Sequence, residues 1–194
     1  MTLLAAAVLG YLLGSIPSGL LVTRLVGLGD IRRIGSGNIG ATNVLRTGSK
    51  GAAALTLVLD LAKGWAAVLI ARGWGEEAAL VAAGCVIIGH MFPIWLGFRG
   101  GKGVAAALGV LIALAWPVAL AAALVWLATV LMFHYSSLAA LVAAVASAVL
   151  APFLVDVPTA AAIAGIALLI ILRHHANIRR LIAGSESRIS LTKG

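Results

Sequence analysis

Apolar runs, several of them near the roughly 20 residues that cross a membrane, recur along nearly the whole chain, separated by polar or glycine-rich breaks. Hydrocarbon offers backbone N–H and C=O groups no water, so each run must satisfy them internally, which a helix does. Composition agrees. The 194 residues are 62% hydrophobic and 10% charged, whereas a soluble domain carries roughly a quarter charged residues. The chain reads as an all-α, polytopic membrane protein forming one domain over residues 1–194.

The first run covers about Leu3 to Val26. It lacks a positive n-region and a small-residue cleavage site, so it reads as a retained span rather than a removable signal. Gly10, Gly14 and Ser18 form a ridge of small residues suited to close helix packing. The second run covers Gly51 to Ala71 and the third Ala78 to Phe98. Val104 to Phe133 is interrupted by Trp116-Pro117. As one helix it would reach about 45 Å at 1.5 Å per residue, past the roughly 30 Å hydrocarbon core.

Loop charge decides between one helix and a hairpin there. A hairpin at Pro117 gives seven transmembrane helices, the last two covering Ser137 to Leu154 and Thr159 to Leu172. Arg24, Arg32, Arg33, Arg46, Lys50, Arg99, Lys102 and the tail bases Arg173, Arg179, Arg180, Arg188 and Lys193 then share one side. Arg72, Glu76, Glu77 and Asp156 fall on the other. Basic loops stay cytoplasmic, so the N-terminus is expected outside and the C-terminus inside. The same distribution accounts for the net charge of +8. No aromatic residues interleave with the bases as a nucleic-acid platform would need, and no nucleic-acid partner is expected. Cys85 stands alone in an apolar run, which excludes an intrachain disulfide.

Three cytoplasmic segments carry polar chemistry. GSGNIGATN, Gly35 to Asn43, is nearly bare backbone with Ser36, Asn38, Thr42 and Asn43 as neutral donors. Glycines let successive N–H groups converge on one anion. Gly100-Gly101-Lys102-Gly103 repeats this arrangement with a cation and leads into a helix N-terminus, a natural anion site. The third segment, RHHANIRRLIAGSES, runs from Arg173 to Ser187. A turn whose glycines merely permit tight packing is the competing reading of either loop alone. Two such loops together with Arg46, Lys102, Arg173 and Arg179 on one face favour a phosphate site.

Several chemistries are disfavoured. Lys102 does not belong to a Walker A loop, because Leu96 replaces the first glycine and Gly103 the magnesium-binding Ser/Thr. Nucleophile-elbow and metal-ligand spacings are missing, and so is a His-x4-Asp acyltransferase motif, since Trp95 stands where the aspartate would. No metal or cofactor is expected. Asp60 and Lys63 share a helix face within the second span and read as an intramembrane brace. His90 reads equally as a base, a substrate contact or a packing histidine, and His174 is the stronger histidine candidate.

Three stretches in this order, GSGNIGATNVLRTGSKGAAALTLVLDLAKG, GHMFPIWLGFRGGKGVA and RHHANIRRLIAGSESR, resemble the bacterial acyl-phosphate:glycerol-3-phosphate acyltransferases of the inner membrane. The resemblance covers essentially the whole chain. Departures are His175-Ala176, where that family often has Arg-Glu, and Arg188, where Lys is usual. The resemblance implies transfer of a fatty acyl group from acyl phosphate to sn-glycerol 3-phosphate, giving lysophosphatidic acid on the cytoplasmic side. Under it, Ser36, Arg46, Lys102, His174 and Asn177 serve mainly the acceptor. Asn38, Gly40, Ala41, Thr42, Asn43, Gly100, Gly101 and Gly103 hold the acyl phosphate. His90, Ser137 and Glu186 are further candidates, with Glu186 expected to order the C-terminal segment. The competing reading from another class is a transporter or channel for small phosphate esters.

Overall fold

The structure is a computed structural model that describes residues 1–189. Lys193, counted above among the tail bases, lies outside the described residues. The chain divides into two compact units, Met1–Leu114 and Ala115–Gly194.

The first unit contains α1 (Thr2–Ser15), α2 (Ser18–Leu25), α3 (Ala41–Leu45), α4 (Lys50–Arg72), α5 (Glu76–Met91) and α6 (Val104–Leu114). Pro17 breaks the first apolar run into α1 and α2, because proline brings no N–H and turns the preceding residue to an extended conformation. Pro93 acts likewise on the third run. The helix ends at Met91, and Ile94–Leu96 forms a short 3-10 turn where the sequence suggests continuous helix to Phe98.

α1 packs on α5, and α4 packs on both α5 and α6. Glycine makes these approaches close. A Cβ at Gly10 would meet the Ala82 backbone and one at Gly14 the Val86 backbone. Gly64 and Gly109 similarly face the backbones of Ala106 and Leu61. Such seams replace the hydrophobic driving force that lipid does not provide between helices. The ridge read from Gly10 and Gly14 is therefore a packing surface.

The second unit contains α7 (Trp116–Phe133), α8 (Ser136–Leu154), α9 (Val157–Arg173) and α10 (His175–Ile182), with α8 packed on α7 and on α9. Ala115 leaves helical geometry at φ −157°, ψ 73°, and Pro117 stands in the first turn of α7, so the helix break falls where the hairpin is expected. Asp156 caps α9, its Oδ1 accepting the Thr159 N–H at 2.8 Å. At His174 the chain bends by 59° from α9 into α10.

Among the described residues, five segments are long and apolar enough to cross a membrane, or six if the bent α9–α10 pair is one. They are Thr2–Leu25, Lys50–Arg72, Glu76–Leu96, Trp116–Phe133 and Ser136–Leu154. α6, with 11 residues, reaches about 16 Å, roughly half the hydrocarbon thickness.

Candidate functional site

The GSGNIGATN loop folds around one side chain. Asn43, 2% exposed, donates its Nδ2 hydrogens toward the carbonyls of Ile31 at 3.1 Å, Ile34 at 2.9 Å and Asn38 at 2.8 Å. Its Oδ1 accepts from Ser36 N at 3.0 Å, Ser36 Oγ at 3.3 Å and Arg46 Nη1 at 3.3 Å. Two residues assigned to the acceptor, Ser36 and Arg46, thus converge on one oxygen. Gly35 sits at φ +55°, and a Cβ there would lie 2.5 Å from Asn43 Oδ1 and 2.8 Å from Arg46 Cδ, so only glycine fits. Asn38 Oδ1 accepts the Gly40 N–H at 2.9 Å, pre-shaping the turn into α3, where Ala41 and Thr42 stand in the first turn. The sequence assigns Asn43 to a ligand. The structure instead uses both ends of its amide to hold the loop.

The second loop is tied to the first. Leu96 packs against a cluster that includes Ile31, Ile39 and Val44, the apolar floor beneath GSGNIGATN. Its backbone also departs from expectation. The Gly100 N–H donates to Met91 O at 3.1 Å and the Gly101 N–H to His90 O at 3.0 Å, so these two amides turn back onto the end of α5 rather than toward an anion. Gly103, at φ +80°, redirects the chain into α6. Lys102 lies between, partly buried, one residue before that turn.

Beneath this loop are three buried ionisable side chains. Lys63 Nζ lies 2.8 Å from Asp60 Oδ1 and donates to Ile16 O, also at 2.8 Å. His90 Nδ1 lies 3.6 Å from the same Asp60 oxygen. The expected Asp60–Lys63 brace is present as an ion pair one helical turn apart, and it also serves a carbonyl at the α1–α2 break.

In the second unit the organising group is Glu186, with 5% of its side chain exposed. Oε1 accepts from Ser137 Oγ at 2.8 Å and Asn177 Nδ2 at 2.6 Å, and Oε2 from Arg180 Nε at 2.6 Å. Burial pushes the Glu186 pKa up, but the hydrogen bonds from Asn177, Ser137 and Arg180 outweigh it and hold the carboxyl below its ordinary value. Asn177 thereby commits a donor to Glu186 as well as standing in the candidate set. His174, 2% exposed, has Nδ1 at 2.7 Å from Ile170 O. A carbonyl can only accept, so Nδ1 carries the proton and Nε2 is the nitrogen suited to proton exchange. His175 is exposed, with Nδ1 at 3.1 Å from Leu172 O. Arg180, which the sequence suggests only as a cytoplasmic base, is a direct partner of Glu186. The one available signal for this pairing was a lone carboxylate, Glu186, set among Arg179, Arg180 and Arg188.

Comparison with solved structures defines the class. The fold matches crystal structures of PlsY, described as an integral membrane glycerol 3-phosphate acyltransferase, in a glycerol 3-phosphate form and a lysophosphatidic acid form. The TM-scores are 0.92 and 0.91, at 39% identity, over 98% of this chain and 96% of those chains. The particular family follows from sequence. The model of the glycerol-3-phosphate acyltransferase family matches residues 4–184, through both units, and the chain belongs to that family. Relatives named glycerol-3-phosphate acyltransferase include one from Mesorhizobium japonicum, 58% identical over 96% of both chains. Another, from Cereibacter sphaeroides, is 62% identical over 96% of this chain and 94% of its own.

Proposed function

We propose that the protein is a glycerol-3-phosphate acyltransferase that takes its acyl group from an acyl phosphate. The acceptor's 1-hydroxyl oxygen attacks the acyl carbonyl carbon, and the carbonyl–phosphate C–O bond breaks. Lysophosphatidic acid and inorganic phosphate leave. The hydroxyl proton passes to an oxygen of the departing phosphate or to His174 Nε2. A mixed anhydride is already activated, so orientation and charge stabilisation carry most of the catalysis, and no covalent enzyme intermediate is needed.

The observation that carries this reading is the gathering of Ser36 and Arg46 on Asn43 Oδ1, in a loop whose apolar floor also seats the second loop through Leu96. As the sequence suggests, Ser36, Arg46, Lys102, His174 and Asn177 are assigned to the acceptor. Asn38, Gly40, Ala41 and Thr42 are assigned to the acyl phosphate, with Asn43 holding their loop. The inward turn of the Gly100 and Gly101 amides shifts the anion-binding role in the second loop to Lys102, Gly103 and the opening turn of α6.

In this reading the chain works as one domain in a bacterial inner membrane, with seven spans, an external N-terminus and a cytoplasmic site. Support comes from the non-helical Ala115 ahead of Pro117 and from the sorting of basic loops. α6 would then be a short span. Cysteine labelling in a Cys85→Ala background should find the exposed positions 36, 99 and 175 accessible from the cytoplasm and positions 76 and 156 from outside. Cytoplasmic labelling of position 156 would break the seven-span arrangement.

The function itself is tested with purified protein, acyl phosphate and labelled glycerol 3-phosphate. Labelled lysophosphatidic acid is expected, without ATP or divalent metal, and with acyl phosphate outperforming acyl-CoA. Flux of glycerol 3-phosphate into proteoliposomes without product would point instead to transport.

A further inference from the structure

His90 touches the second loop twice. Its carbonyl accepts the Gly101 N–H at 3.0 Å. Its imidazole lies against Gly101 so closely that a Cβ there would overlap Nε2 and stand 2.9 Å from Cδ2 and 3.0 Å from Cε1. All three nearest atoms belong to that one ring. The ring cannot easily swing aside. His90 is 3% exposed, and its Nδ1 faces Asp60 Oδ1 at 3.6 Å. Asp60 is in turn fixed by Lys63, whose Nζ is also bonded to Ile16 O. A chain of contacts therefore runs from the α1–α2 break through Lys63, Asp60 and His90 to the residue preceding Lys102.

We propose that His90, braced by Asp60 and Lys63, is a positioning residue that sets the backbone of Gly101 and thereby aims Lys102 at a substrate phosphate. This rests on the reading of Lys102 as a contact to glycerol 3-phosphate. It gives the intramembrane ion pair a purpose beyond bracing: it holds an imidazole in place as a stop for the loop. It also explains why position 101 is glycine although its φ, unlike that of Gly103, is not in the left-handed region. Space, not backbone conformation, demands it.

Shape swapping tests the idea. Gly101→Ala should raise KM for glycerol 3-phosphate by about tenfold or more with kcat changed less than about threefold, as expected when a binding contact is misaligned. His90→Ala should do likewise by loosening the loop. In the double variant His90→Ala/Gly101→Ala, the new methyl group occupies space vacated by the ring, and KM should fall back below that of either single variant. Gly100→Ala is the control. A Cβ there would strike the His90 backbone oxygen and Pro93 Cδ, so His90→Ala should not rescue it.

Where His90→Ala does not fold, His90→Ser paired with Gly101→Ala makes the same comparison. Effects on KM that multiply without rescue would overturn the proposal, as would losses confined to kcat. A wild-type protein that forms no acylated product would instead remove the proposed function. In that case the non-additivity of Tm across the same variants still decides whether His90 sets position 101, and additive Tm values would overturn it.

Discussion

The Gly35–Asn43 loop and the segment from His174 to Glu186 are each drawn together by one buried polar side chain, and the two side chains solve the problem in opposite ways. Asn43 is neutral and works in both directions, giving hydrogens to three carbonyls and accepting from Ser36 and Arg46. Glu186 is a carboxylate and only accepts, so every group around it is a donor: Ser137, Asn177 and Arg180. A loop with inward-pointing carbonyls needs an amide at its centre. A segment rich in cations and side-chain donors needs an anion. The chemistry of each organiser follows from what its surroundings leave unsatisfied.

Exchanging amide and carboxylate should break the two regions unequally. The largest loss is expected for Asn43→Asp. Its carboxylate would face the carbonyls of Ile31, Ile34 and Asn38 with no hydrogen to offer, leaving buried acceptors unpaired at about 1–3 kcal/mol each. kcat/KM should drop by more than about a hundredfold, with a lowered Tm. Activity within a few-fold of wild type would show that Asn43 does not hold the loop.

Lys102→Ala comes next. Loss of a charge-assisted bond to a phosphate, typically about 1.5–3 kcal/mol, should lower catalytic efficiency roughly ten- to a hundred-fold with the fold intact. Arg at this position should restore only part of it. If Lys102 merely adds inside charge, Lys102→Ala with a new lysine elsewhere on the same loop would recover full turnover, and that result would end its assignment to phosphate.

Glu186→Gln should be milder, on the order of ten-fold in kcat/KM, because the amide oxygen can still accept from Ser137 and Asn177 while its NH2 opposes Arg180. The wild-type glutamate also carries a pH signature. Its pKa is depressed in the folded protein, so its contribution to stability is fully present above the ordinary value of 4.5 and fades as pH falls through the lower folded value. Tm should therefore decline more steeply below pH 4.5 for wild type than for Glu186→Gln. Parallel curves would show that the carboxylate is not held this way. Ser137→Ala should have the smallest effect, about two- to five-fold, since Asn177 and Arg180 still anchor Glu186.

The helical membrane architecture and the positions of all three polar segments were legible in the sequence, because hydropathy, glycine and charge declare themselves residue by residue. The inner wiring was less so. Asn43 looks the same on paper whether its amide meets a ligand or its own loop, and only the folded path of Ile31 to Asn38 decides between them. The Gly100 and Gly101 amides were expected at an anion, yet the reversal after Pro93 carries them back to the carbonyls of His90 and Met91. Ser137 and Glu186 meet across 49 positions of sequence, a pairing no local pattern encodes. Asp60 and Lys63 were readable as partners because a helix brings positions three apart together. His90 joins them only through the packing of α5 beside α4.

The glycine seam between α1 and α5 bears on how the protein meets bilayers of different thickness. Gly10 and Gly14 press on the backbones of Ala82 and Val86, while Gly89 presses on those of Tyr11 and Ser15. Tyr11 Oη also bonds Phe92 O at 2.9 Å, just past the end of α5. Main chains that mesh this way cannot slide by a residue or rotate separately without driving a carbonyl oxygen into a Cα. A thinner or thicker membrane is commonly accommodated by helix tilt, and here α1 and α5 must tilt together as a single plate. Lipid-driven motion then carries the turn at Phe92 and Pro93 along intact, and the loop leading to Lys102 keeps its footing while the bilayer around it changes.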